Sequence, residues 1–73
     1  MKKLNSLSFG EKAYIKKINT KGSMRQRFLD IGLIENTFVE CVAVSPAGDP
    51  KAFLIRGAVI AIRNKDSGSI LVG

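Results

Sequence analysis

The chain has 73 residues, with twelve Lys or Arg against six Asp or Glu, a formal net charge of +6, one Cys, no His and no Trp. That length allows a single domain over residues 1–73 and leaves no room for a deep enclosed active site. One Cys without any His excludes an internal disulfide, a closed zinc site and His-assisted nucleophilic catalysis, and it suits a reducing cytoplasm.

Met1-Lys2-Lys3 is followed by Leu4-Asn5-Ser6-Leu7-Ser8, not by the continuous apolar run of a signal peptide, and no stretch approaches the ~20 apolar residues of a membrane span. Leu4 and Leu7 form one apolar turn leading into the first strand. From Lys12 to Lys16 the pattern alternates, with Ala13 and Ile15 on one face and Lys12, Tyr14 and Lys16 on the other. Ile18 breaks that parity, so a bulge or bend near Lys16-Lys17 is expected to return it to the inner face.

The one expected helix covers residues 24–31. Ser23 as N-cap with Gln26 three residues later is a capping-box pattern. Met24, Phe28 and Ile31 follow helical spacing, and Leu29 widens the apolar stripe toward the core. Gly32 supplies the positive φ that ends a helix. So short a helix is unstable alone and must pack on a sheet. Leu33 and Ile34, directly after that Gly, can either plug a barrel mouth or stand exposed as a docking patch.

The remainder reads as strand. Thr37 to Val44 places Val39, Cys41 and Ala43 on one face and Phe38, Glu40, Val42 and Val44 on the other. Cys41 is then a buried small hydrophobe and not a reactive thiol. Ser45 to Pro50 is a turn cluster, in which Gly48-Asp49-Pro50 uses the Asp side chain to bond backbone N–H groups. Phe53 and Ile55 alternate with Leu54 and Arg56; Gly57 marks a turn, and Ile60 and Ile62 resume the alternation. Asn64 to Ser69, with Gly68, is a second turn cluster before the short strand Ile70-Leu71-Val72. The fold class is therefore mainly β: a small SH3-like barrel of about five short strands with one short inserted helix, curled to remove its edges. Phe9, Tyr14, Phe28, Phe38 and Phe53 supply a compact aromatic core.

Charge is uneven along the chain. Residues 1–27 carry eight Lys or Arg against Glu11 alone, a balance of +7, while residues 28–73 carry four against five, a balance of −1. Lys12, Tyr14 and Lys16, with Lys2, Lys3 and Lys17, form a basic strip with an interleaved aromatic. Such a strip can hold a phosphate backbone, meet an acidic protein, or simply be a solvated face. The six carboxylates show no helical pairing, so no metal ligand set and no cofactor site is expected.

Taken together, Arg27-Phe28-Leu29-Asp30-Ile31-Gly32-Leu33, Val39-Glu40-Cys41-Val42, Pro46-Ala47-Gly48-Asp49-Pro50 and Gly57-Ala58-Val59-Ile60-Ala61-Ile62-Arg63 closely resemble the FeoA family, the ferrous iron transport protein A domains. The resemblance runs from Leu4 to Val72. It departs where the family's usual Pro-Gly is replaced by Glu35-Asn36; Asn tolerates the left-handed conformation, so the turn can survive. The resemblance implies an SH3-like barrel with an inserted helix, acting as a non-enzymatic cytoplasmic accessory of bacterial ferrous iron uptake. Its implied partner is FeoB, a membrane permease with a cytoplasmic GTP-binding domain. The expected contact surface is the helix end and following loop, Leu33 and Ile34, with Lys12, Tyr14, Lys16, Lys17 and Arg27. The alternative is a nucleic-acid-binding small barrel using the same basic strip.

Overall fold

In a computed structural model covering residues 1–73, the chain forms six strands, one nine-residue helix and two short helical turns. In chain order these are β1 (Lys2–Lys3), a 3-10 turn (Leu4–Ser6), β2 (Lys12–Ile18), α1 (Gly22–Asp30), β3 (Phe38–Val44), β4 (Lys51–Ile55), β5 (Ala58–Ile62), α2 (Asn64–Ser67) and β6 (Ile70–Val72). All neighbours are antiparallel in the order β1-β6-β2-β3-β4-β5. The mainly β architecture is the expected one. No backbone ladder joins β5 to β1, however, so the strand edges are not removed by closure. No helix is long and apolar enough to cross a membrane.

Strand alternation builds the core. Ile15, Val39, Cys41, Phe53, Ile55, Ile62, Ile70 and Val72 are buried from the sheet, and Leu4 and Leu7 of the first turn join them. The expected bulge is present. Pairing passes from Ile15–Val72 directly to Lys17–Leu71, which leaves Lys16 as the extra residue and brings Ile18 onto the core. A second bulge, between Cys41 and Ala43 opposite Phe53 and Ala52, was not anticipated. It turns Ala43 outward and breaks the expected inner row after Cys41.

Several expectations need correction. The helix begins at Gly22, whose φ is +70°, with Lys21 as an extended N-cap that makes no side-chain capping bond. Entry through Gly22 moves the start upstream of Ser23, so no capping box forms. Gln26 instead donates to Asp30 Oδ1 at 2.9 Å along the helix surface. Phe28 is buried and Met24 and Ile31 pack on the core, but Leu29 is 40% exposed. Only Phe28 and Phe53 of the five aromatics are buried. Phe9 lies beside the turn at Gly10, and Tyr14 and Phe38 pair with each other on the outer face of β2 and β3. The segment read as a second turn cluster contains α2, whose last residue, Ser67, is fully buried.

Turn chemistry behaves as read in three places. Gly32, at φ +86°, ends α1, with its N–H on Leu29 O and the Leu33 N–H on Phe28 O; this pair of bonds is the Schellman arrangement. Arg56 and Gly57, both at positive φ, make the two-residue β4–β5 turn. Asn36 takes φ +70°, the left-handed conformation it was expected to tolerate. Asp49 does accept a backbone N–H, but from Asn64, fifteen residues away, at 2.9 Å. It thereby ties the Gly48-Asp49-Pro50 turn to the start of α2, and Asn64 Nδ2 returns a bond to Gly48 O.

Candidate functional site

The Schellman bonds decide the fate of the two apolar residues after α1. They swing Leu33 back under Phe28, where its side chain is fully buried. Leu33 is therefore the plug and cannot itself be a contact residue. Ile34, one residue on, points out and is 41% exposed. Thr37 holds this loop from inside: its hydroxyl accepts the Ile34 N–H and donates to Gly32 O, each at 3.3 Å. Asn36 N–H donates to Ile15 O at 2.7 Å, which ties the loop to β2.

Ile34 opens onto a cleft between the end of β2 and α1, lined by Lys17, Ile18, Arg25, Leu29, Ile34 and Glu35. Ile18, Leu29 and Ile34 supply apolar surface, and Lys17 and Arg25 supply positive charge against Glu35 alone. The Arg25 guanidinium donates to Ile18 O at 3.0 Å and is thus held in place. The protein has one ion pair, Lys2 with Glu11, so neither Lys17 nor Arg25 is in an ion pair.

The other expected site residues are dispersed. Lys12 stands across from Glu40, and Tyr14 meets Phe38 edge-to-face at 5.5 Å between ring centroids. Lys16 sits exposed at the bulge, and Arg27 belongs to a different cleft, between α1 and β5. The basic residues of the N-terminal third therefore do not form one continuous track. Ile18, Arg25, Leu29 and Glu35 were missed as site residues. A signal existed for two of them: Arg25 and Leu29 are four apart, on one helix face that the Met24-Phe28-Ile31 stripe does not include.

Elsewhere the chemistry is sparse. Cys41 is a buried free thiol, and no three His, Cys, Asp or Glu side chains converge in a way that could hold a metal ion. Glu11 is held below the ordinary glutamate range, first by its hydrogen bond from Lys2 and then by the Ser8 N–H.

Compared with known proteins, the chain matches the FeoA domain over residues 2–73. It belongs to the FeoA family. A 27% identical relative is the Fe(2+) transport protein A/Fe(2+) transporter FeoB fusion protein of Porphyromonas gingivalis. The match covers 96% of this chain, which spans only 8% of that polypeptide's length. Among solved structures, iron(II) transport protein A of Clostridium thermocellum is 30% identical, with a TM-score of 0.92, over 97% of this chain and 44% of that one. The FeoA crystal structure from Stenotrophomonas maltophilia, described as an SH3 domain protein, has a TM-score of 0.87 at 18% identity. That match covers 100% of this chain and 91% of the other and speaks to the fold alone. The SH3-like reading of the sequence and its FeoA resemblance both hold.

Proposed function

We propose that this chain is a non-enzymatic accessory of ferrous iron uptake that docks on the cytoplasmic part of a FeoB-type permease. The observation that carries the reading is the Porphyromonas gingivalis relative, in which a region matching 96% of this chain is joined to FeoB in one polypeptide. Fusion holds two domains at high effective concentration without any special surface. Action on the permease outside such a fusion has to recover that proximity by binding. The Ile34 cleft offers the means: exposed apolar side chains for affinity, with Lys17 and Arg25 steering toward an acidic face. Such docking places the chain at the inner surface of the membrane.

The test is a titration of the permease's purified cytoplasmic domain with this chain. Wild type is expected to bind with an affinity that weakens as salt rises, and Ile34→Asp to bind about tenfold or more weakly. Absence of binding at low ionic strength, or equal binding by Ile34→Asp and Lys17→Glu, would overturn the assignment.

A further inference from the structure

The two edges of the sheet are protected very differently. β1 is Lys2-Lys3, charged and two residues long, the usual defence of a free edge. β5 is Ala58-Val59-Ile60-Ala61-Ile62, with no charge, no Pro and no bulge, and it pairs with β4 alone. Across the two-residue turn, Ile55 faces Ala58, and hydrogen-bonded pairs alternate from there. Ala58, Ile60 and Ile62 therefore bond β4, and Val59 and Ala61 turn their N–H and C=O groups away from the sheet. Neither takes part in any backbone bond outside the ladders.

That open edge borders the second cleft. Met24 and Phe28 of α1, with Ile31 at its C-terminal end, face Ile60 and Ile62 of β5 across about 220 Å³, less than the ~300–1,000 Å³ typical of small-molecule pockets. It suits one or two side chains of a peptide. Arg27 and Arg63 line the cleft with Asp66, and neither arginine is in an ion pair. Self-pairing of two β5 edges would join chains that each carry +6, and that net charge disfavours the pairing. An acidic strand has no such conflict.

We propose that β5 and this cleft form a second binding site, which takes an extended acidic peptide segment as an added strand. Val59 and Ala61 supply the main-chain bonds, the α1–β5 cleft takes a large apolar side chain, and Arg27 with Arg63 receives flanking carboxylates. The site shares no residue with the Ile34 cleft and does not depend on the permease reading.

The probe is a dye-labelled peptide, acetyl-Glu-Val-Leu-Val-Glu-amide, followed by fluorescence anisotropy. Saturable binding is expected. It should weaken about tenfold or more when alternate peptide amides are N-methylated, and likewise when Lys replaces both Glu. Ala61→Pro removes an outward N–H, which an edge strand tolerates, so this variant should keep its native circular dichroism and lose the peptide. The N-methylated peptide tests the same bond without altering the protein, so an unfolded variant leaves the test intact. Equal binding of the N-methylated peptide, no saturation at millimolar peptide, or a wild-type dimer that Ala61→Pro converts to monomer (a second copy as occupant) would each overturn the proposal.

Discussion

Leu33 and Ile34 are adjacent, both large and apolar, and assigned opposite roles by the structure, so truncating each in turn is a direct test. The Leu33 side chain is fully buried in the cluster that includes Phe28 and Ile15. Removing such a side chain to Ala costs about 2–5 kcal/mol, the lost transfer energy plus the cavity left behind. A 73-residue domain holds in total only about 4–11 kcal/mol at the usual stability per residue. Leu33→Ala therefore removes a large share of it. A loss near 3 kcal/mol corresponds to a Tm lower by about 12–24 °C at this chain length. Ile34 is 41% exposed, and Ile34→Ala should cost no more than about 1 kcal/mol. Urea denaturation followed by circular dichroism measures both. The functional readout should invert: Ile34→Ala weakens binding to the permease's cytoplasmic domain, and Leu33→Ala, assayed well below its midpoint, does not beyond its unfolded fraction. If Leu33→Ala proves nearly neutral while Ile34→Ala destabilises by several kcal/mol, the account of the α1 C-terminus is wrong.

Other expectations concern single supports of the fold. Gly32→Ala places a Cβ at φ +86° and 2.5 Å from Arg56 Cδ, where the left-handed backbone alone costs about 1–2 kcal/mol; Arg56 must also swing away from Gly32 O, which its Nε now bonds at 3.1 Å. An unchanged urea midpoint would show that the helix end does not need this conformation. Asp49→Ala leaves the Asn64 N–H without its carboxylate and should cost about 1 kcal/mol, as loss of a helix cap does; Asp49→Asn, which keeps an acceptor, should recover most of it. Glu11 is lowered mainly by its bond from Lys2. The unfolded chain therefore binds a proton at a pH where the folded one does not. This contribution to stability is complete above the ordinary glutamate value and fades as pH falls through the folded value. In a carboxyl-resolved NMR titration, Lys2→Ala should raise the Glu11 midpoint, and an unmoved midpoint counts against the Lys2 contact.

What was legible in the sequence was local. Alternation in Lys12–Ile18 revealed the inner face of β2, and the misfit of Ile18 revealed the bulge, because side-chain parity is a property of the strand itself. Gly32, Asn36 and Gly57 announced their turns through the conformations that their side chains allow. The capping box failed because Gly22 offered an earlier start at a positive φ that Ser23 could not compete with. Leu29 was read as core because hydrophobicity alone does not say how far the helix rolls on the sheet. α2 was hidden because its N-terminus is held by Asp49, a partner remote in sequence.

The sequence by itself determined a small, basic, mainly β domain with a short helix ahead of Gly32, its family, and the absence of a His or Cys ligand set. These follow from composition, periodicity and residue order, none of which needs a third dimension. Only the tertiary structure decided that Leu33 is core and Ile34 surface, that the basic residues divide among separate places, and that β5 is left as an open apolar edge beside α1. Each of those depends on how the helix seats against the sheet and where the sheet stops. Both are outcomes of packing between segments far apart in the chain.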